Sequence, residues 1–558
     1  MTRRLAVECA VAVRGTAAAF TLALAAVLPA LAAGHAASPD PSVPVHGGTL
    51  TVGLDYDVDT LNVYVTAALG DIEAAVVEGL VAPDEHAHYV PVLATEVPTL
   101  ANGGIELTRQ GTAMRVIYHL RPGVLWQDGV PLSSADVKFT WEAVHDPHFL
   151  AESKDGSEEV ESIDTPDAQT VIVNYRSVSP AFASTLFTFG ILPRHVLAGK
   201  DLNHDPYNEK PLGTGPFMVS DFRRGQYVVL DRNPRYWGRD AAGQSLPYLD
   251  RIIFYIIPNS NTLGTLIRAG EVLFAPRIPV MLAKQLRGTA GIDLVTGPSL
   301  GWSYLDFGLK RVPVLRDPGV RRAIAQAINR AALVKAAGGY PKPVYSTVLP
   351  VFENLYDPEP DAAVPGYDPV AANAALDAAG FARGADGVRS RGGQRLELGI
   401  TTQSGDIDGE IAEQILIAEL KAIGIAAYAD NKSGIAYRQA RYKGAFDLQY
   451  GHIFTAADPV YSMFYGKHGP LNGRGYTSAA MDAALSRMET SLLPEERHAA
   501  SAEMQRIFAR DLPSLPLLSY VSIAAKTKRL QGYVTNPTNM TDFISVAHWW
   551  LSPPGTSP

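Results

Sequence analysis

Through most of the first half of the chain, hydrophobic residues alternate with polar ones. "GGTLTVGLDYD" (47–57) sets Leu50, Val52 and Leu54 on one face of a strand. "AMRVIYHL" (113–120), "QTVIVNY" (169–175), "YVVLDRNPRYWG" (227–238) and "LDRIIFYIIP" (249–258) also read as strands. Gly and Pro break the pattern about every dozen residues, the punctuation of strands and turns.

The period changes in the second half. "DPGVRRAIAQAINRAALVKAAGG" carries an Asp317 cap, Pro318 at the first helical position, and apolar Val320, Ile324, Ile328, Ala331 and Val334. It predicts one helix that stops at Gly338-Gly339. "DPVAANAALDAAGF" repeats the device with Asp368, Pro369 and Gly380. A helix over 409–425 follows the strand "QRLELGI", and two more begin at Ser478 and Pro494 before "LPSLPLLSY" (512–520). Strand and helix alternate as in an α/β layer, which gives two α/β lobes, the first richer in strands.

With 558 residues, the chain has room for two to four domains. Hydrophobic residues make up 47% and charged residues 19%, the balance of a globular chain with ample core. The net charge of -9 and the lack of a Lys/Arg block argue against nucleic acid or an anionic membrane as partner. At the N-terminus Arg3, Arg4 and Arg14 precede an apolar run ending at Ala33, with Pro29 and small residues at a cleavage position. A run of about 17 such residues is also just long enough to anchor in a membrane. The Pro/Ser/Gly-rich tether that follows favours a cleaved signal over residues 1–33 and a flexible tether over 34–48. Cleavage leaves 45 basic and 56 acidic residues, net -11. Cys9, the only cysteine, precedes the apolar core of that signal, so no lipid anchor, disulfide or thiolate metal site is expected.

Candidate chemistry is sparse. "GPSLG" (297–301) matches a nucleophile-elbow pattern around Ser299, but "WSYLDFGL" after it is strand-like where a helix is required; a surface loop is the better reading. His86 and His88 beside Asp84 and Glu85 lack a third ligand at metal spacing and read as a solvated turn, as do His145 and His148 after a helix. No phosphate loop, dinucleotide fingerprint or zinc motif is present, so no cofactor or metal is expected. An exported chain of this size without a catalytic cluster favours a binding protein.

The segment "YHLRPGVLWQDGVPLSSADVKF" (118–139) is the most specific landmark, a strand, an Asp128-Gly129 hairpin and a helix boxed by Ser133 and Asp136. With "PLGTGPF" (211–217), "NPRYWG" (233–238), "RAGEV" (268–272), "VRRAIAQAINRAALVK" (320–335), "YDPVAANAALDAAGF" (367–381) and "ARDLPSLPLLSY" (509–520), it resembles the extracellular solute-binding proteins of ABC importers, dipeptide/oligopeptide class. The resemblance implies a two-lobed periplasmic-binding-protein fold, class II and peptide-binding in type, with an extra subdomain in the first lobe. On it, lobe I spans 49–272 with the subdomain at roughly 67–185, lobe II spans 273–514, and 515–558 return to lobe I. Hinge crossings are expected near 270–276 and 512–518. The implied activity is ligand capture in a closing cleft and delivery to an inner-membrane ABC permease by a periplasmic monomer, with no catalysis of its own.

The resemblance also directs attention to ligand groups. Peptide-binding relatives hold the peptide amino terminus with an Asp, four residues after a Gly; the corresponding position here is Thr455, with His452 at a Trp position. The carboxylate-pairing Arg falls on Gln403. Two neutral groups in place of two charges disfavour a zwitterionic dipeptide, because a buried ammonium without a counter-charge costs several kcal/mol. Asp458 has two readings, a shifted anchor or a turn residue before Pro459, of which the turn is preferred. Tyr56, Tyr64 and Thr66 in the loop after the first strand, with Trp302, Tyr304 and Phe454, complete the expected ligand set, and core packing competes with that reading for Trp302 and Tyr304. The expected ligand is peptide-like or an amphipathic polar solute; an oligosaccharide, opine or nickel chelate on the same fold, an exported hydrolase, and a sensor presenting ligand to a receptor are the alternatives.

Overall fold

The computed structural model describes residues 43–66, 70–152, 154, 156–184, 186–538 and 541–553, so the expected signal and most of the tether lie outside it. Its strands, in chain order, begin with β1 (Thr49–Leu54), β2 (Ile105–Thr108), β3 (Ala113–His119), β4 (Val160–Asp164) and β5 (Thr170–Tyr175). They continue with β6 (Phe217–Arg223), β7 (Tyr227–Arg232), β8 (Arg251–Ile256), β9 (Phe274–Ala275) and β10 (Ile292–Phe307). β11 (Glu397–Thr401), β12 (Ala426–Ala429), β13 (Leu448–Phe454) and β14 (Ser514–Thr527) complete the main set.

Ten of these form one sheet in the order β12-β11-β13-β10-β14-β9-β1-β8-β7-β6. Its two ends carry separate cores. Leu50, Val52, Leu230, Ile252 and Phe254 pack with the C-terminal segment through Phe543 and Trp549. Leu305, Ile324, Leu398, Leu416 and Leu448 pack together at the other end. The alternation of Leu50, Val52 and Leu54 is therefore a buried face, as the sequence pattern predicts.

β10 and β14 pair antiparallel over nearly their full length and are the strands common to both ends. Residues 292–298 of β10 pair with 521–527 of β14, whose outer neighbour is β9. After a register shift between Pro298 and Trp302, the rest of β10 pairs with 514–519 of β14 on one side and with β13 on the other. The change of neighbours thus falls at Pro298–Trp302 and Ser519–Val521, downstream of the expected 270–276 and 512–518. In the segment expected to open lobe II, Ile278, Leu282 and Leu286 share a core with Leu263, Ile267 and Ile523.

A second sheet, β2-β3-β5-β4, with the helix Ser134–His145, forms the extra subdomain. Its core runs on through Leu192, Leu197, Leu202 and Tyr207, beyond the expected limit near 185, because those side chains cover the same sheet. The helix expected as one piece over 318–337 is two, Pro318–Ala327 and Arg330–Ala336. Ile328 is extended, and the Asn329 side chain caps the second helix by accepting from the amides of Ala331 and Ala332, a local alternative that competes with helical continuation.

The sequence landmarks meet in space. The Gln127 side chain donates to the Phe217 carbonyl at 2.8 Å and accepts from the Gly213 amide at 3.2 Å, while its own carbonyl accepts from Arg235 at 3.0 Å. Asn233 donates to the Gly215 carbonyl at 2.8 Å. A Cβ on Gly213 would lie 1.8 Å from the Val76 carbonyl oxygen, so only glycine lets these backbones approach. The landmark segment is a polar clasp joining the subdomain to the sheet. Gln127→Ala leaves the Gly213 amide and the Phe217 carbonyl buried and unpaired, and a loss of about 2–3 kcal/mol is expected in urea unfolding.

Candidate functional site

Where β10 and β14 change neighbours, the surface is hollow. A cavity of about 440 Å³ is lined by Arg277, Ser299, Phe454, Tyr520, Asn536 and Asp542. A second, of about 240 Å³, is lined by Tyr340, Asp408, Tyr450, His452 and Tyr520. Tyr520 on β14 borders both, its ring 4.9 Å from Phe454 and 5.0 Å from His452. Gly301 explains the seat of Phe454, since a Cβ there would meet the Phe454 ring at 2.4 Å.

His452 lies between Tyr520 and Asp406. Its Nε2 is 3.1 Å from Asp406 Oδ2, and the Tyr520 hydroxyl contacts its Nδ1. For a neutral imidazole this geometry puts the proton on Nε2, facing the carboxylate, and leaves Nδ1 to accept from the tyrosine. The His452 hydrogen bond holds the Asp406 carboxyl below its usual range, against its partial burial. Asp406 also caps the helix Ile407–Ala422 by accepting from the Gly409 amide at 3.1 Å, so the helix fixes the carboxylate and the carboxylate fixes the imidazole.

The opposite wall belongs to the first lobe. Asp71 is fully buried and accepts from the Tyr56 hydroxyl at 2.7 Å, from Thr541 and from the Arg277 guanidinium. Burial works against the Arg277 cation, but Asp71 more than offsets it and raises its pKa. Asp542 accepts from the Asn536 amide at 2.6 Å and from Tyr533 at 2.7 Å, yet burial still pushes it up to about 6. Burial also raises Asp55.

Behind this wall, and sharing Thr541 with it, is another cavity of about 440 Å³ lined by Tyr64, Thr66, Glu73, Glu78 and Trp237 among others. Glu78 is satisfied by Thr214 at 2.8 Å, Trp237 at 2.9 Å and Tyr236 at 3.0 Å. Glu73 is 2% exposed, its Oε1 has no hydrogen-bond partner, and burial pushes it up to about 8.

The expected ligand residues separate into groups. Phe454, 47% exposed, and His452 line the hollow at the crossing, and Tyr56 is on the first-lobe wall through Asp71. Tyr64 and Thr66 line the cavity behind it; Tyr64 is buried with its hydroxyl on the Gly190 carbonyl, and Thr66 donates to Asp59 at 3.0 Å. Trp302 and Tyr304 are wholly buried in the core of the sheet's second end, Tyr304 beneath the Arg441 guanidinium at 5.5 Å. Thr455 is buried too, and its hydroxyl donates to the Leu300 carbonyl at 3.1 Å. Gln403 is exposed and bridges to Lys432 through its backbone; it is not among the residues lining either cavity beside Tyr520.

Asp458 lies in a bend before Pro459. Both its oxygens are held by Arg497, one at 3.0 Å, beside a separate cavity of about 610 Å³ that also takes in His86, His88, Glu353 and Asn354. Its charge is met within the protein. Ser299 corrects the surface-loop reading: it lies inside β10 at the register shift and lines the crossing cavity. Asp84 accepts from the backbone amides of His86 and His88, the polar turn that the sequence suggests.

The sequence reading missed Arg277, Asp71, Asp406, Tyr520, Asp542 and Glu73. Asp406 had a signal, since an Asp three residues before Gly409 is a helix cap, but the helix start was set too late to include it. The others are isolated charged or aromatic residues whose partners lie far off in sequence, such as Arg277 and Asp71, 206 residues apart.

The chain matches the family described as bacterial extracellular solute-binding proteins, family 5, over residues 88–473. It is 27% identical to Protein XP55 of Streptomyces lividans over 554 residues, which cover 96% of this chain and 95% of that one. It is 25% identical to the oligopeptide-binding protein AppA of Bacillus subtilis over 527 residues, 91% of this chain and 92% of that one. The crystal structure of the ABC transporter substrate-binding protein CtaP from Listeria monocytogenes superposes with a TM-score of 0.76 at 21% identity, over 91% of this chain and 100% of that one.

A folded acid that keeps its proton to about pH 8, where an exposed Glu loses it near 4.5, binds more protons than the unfolded chain between those values, so Glu73 lowers stability as pH rises through that window. Glu73→Gln removes the penalty. Urea unfolding is expected to show the variant more stable than the parent by several kcal/mol above pH 8 and nearly equal to it at pH 4.

Proposed function

We infer that this chain, which belongs to the bacterial extracellular solute-binding proteins of family 5, captures a peptide-like or amphipathic polar solute at the β10–β14 crossing and presents it to an ABC permease. The observation that carries the reading is the cavity of about 440 Å³ at the crossing, walled by Arg277 and Asp542 on one side and Phe454 on the other, with Tyr520 on a strand that runs through both halves. A solute there touches both lobes, so its binding energy is available to hold them together. The two crossing strands act as the hinge, with Pro298–Trp302 and Ser519–Val521 as the points that bend, since the ladder is already interrupted at the register shift. The role requires no chemistry of this chain, which we read as exported by its N-terminal segment and acting in the periplasm as a monomer.

The similarity to an oligopeptide-binding protein supports a peptide-like ligand. The aromatic pair Phe454 and Tyr520 suits an apolar side chain. Thr455 has no carboxyl and its hydroxyl is bonded to Leu300, while the Asp458 carboxylate is paired with Arg497, so neither offers a peptide amino terminus a free counter-charge, which favours a ligand held differently from a simple dipeptide.

Native mass spectrometry of the purified protein identifies any solute carried with it, and calorimetry on the stripped protein gives 1:1 binding. Phe454→Ala and Tyr520→Ala are each expected to weaken that binding about tenfold or more, the effect of removing an aromatic wall worth at least about 1.4 kcal/mol. Parental affinity in both variants would place the ligand elsewhere.

A further inference from the structure

We propose that the first-lobe cavity behind the Asp71 wall receives an organic ammonium group of the ligand, with Glu73 as its counter-charge. The inference rests on reading the chain as a solute-binding protein and assigns the charge class of what it takes.

The lining of that cavity contains five carboxyl side chains, Glu73, Glu78, Asp84, Glu85 and Glu152, and no Lys, Arg or His among the described residues. Most of the five are accounted for. Glu78 accepts from three side chains, Asp84 from backbone amides, and Glu85 and Glu152 are exposed to water. Glu73 is different, because it is 2% exposed and its Oε1 meets no donor. Buried carboxylate oxygens without a partner are rare, and a donor arriving with a ligand is what this one lacks. The rest of the wall is uncharged, apolar at Val63, Val77, Phe189 and Ile544 and polar at Thr188 and Ser545. Among the described residues, no group of three or more His, Cys, Asp or Glu could hold a metal ion. One buried carboxyl with an unpartnered oxygen, in a largely apolar chamber of about 440 Å³, suits an ammonium on a hydrocarbon or aromatic body, not a hydrated divalent ion that takes six or more oxygens.

Backbone amides of Ile72 and Glu73 favour its charged form, but no cation among the described groups pairs with it. Asp71 and Asp59 are the nearby carboxyls, and Arg277 is spent on Asp71. The helix Asp542–His548, packed against the turn that carries Glu73, contributes Asp542 and His548, and burial lowers the pKa of that imidazole. With its pKa pushed up to about 8, Glu73 carries a proton in the empty cavity at neutral pH and gives it up when a cation arrives. Affinity for a cation then rises by up to about tenfold per pH unit below about 8 and levels off above it.

The test uses the full mature chain, stripped of carried solute, with 2-phenylethylamine and its neutral counterpart 2-phenylethanol as probes from pH 6 to 9. Calorimetry in phosphate and in Tris reads affinity and the proton exchanged. The expected result is an amine preference of tenfold or more at pH 8, release of a proton at pH 7, and loss of both in Glu73→Gln. The pH profile of the parent protein stands as a separate readout should the variant fold poorly. Equal binding of amine and alcohol, a flat pH profile, or an unchanged preference in Glu73→Gln would overturn the inference. So would failure of the amine to bind while the carried solute or a peptide panel still does. If no solute of any kind binds, the solute-binding reading falls first.

Discussion

Two long strands that belong to both ends of one sheet impose the constraint from which the rest of the site follows. β10 and β14 must satisfy first-lobe neighbours over one half and second-lobe neighbours over the other, and a continuous ladder cannot do both without a break. The break comes where Pro298 has no amide to donate and where Gly297 and Gly301 make room for Thr535 and Phe454. A side chain at either glycine would displace those groups, so the hollow beside Tyr520 is a consequence of how the strands change partners. A site placed at such a break touches both lobes and sits beside the easiest place for the sheet to bend.

The electrostatics of the hollow are asymmetric. On the second-lobe side, Asp406 is tied into a helix cap and a histidine contact. On the first-lobe side, Asp71 draws Arg277, Thr541 and Tyr56 into one knot, joining chain segments that are remote in sequence. That knot uses the wall's arginine. Three further carboxyls, Asp55, Asp542 and Glu73, have pKa values raised by burial, which favours their protonated, neutral forms. Thr455, next to Phe454, is buried with its hydroxyl on the Leu300 carbonyl.

Trp302 and Tyr304 illustrate why aromatic residues are ambiguous in a sequence. They share one face of β10, and alternation suggests a wet face and a dry one. From Leu300 to Phe307 every residue is buried, because β13 and β14 flank the strand and the second core closes over it. Phe454, on the neighbouring strand, ends beyond that cover and stays half exposed. The partner of Asp458 was illegible for a similar reason, since Arg497 is 39 residues away on a helix whose packing no local pattern reveals.

The sequence by itself determined the elements and the family. Strand alternation, the Asp317, Asp368 and Ser478 caps, and the close-packed glycine of "PLGTGPF" are local requirements, written in residues near one another. The landmark motifs were legible for the same reason, as each is a short segment whose backbone must take one shape to enter the Gln127 clasp. Only the tertiary structure decided where the chain crosses between lobes, which charges cancel and which stay open. Those outcomes depend on Coulomb and hydrogen-bond partners brought together from segments hundreds of residues apart, as with Asp71, Arg277 and Thr541. Such forces fall off over a few ångströms in space and take no account of distance along the chain.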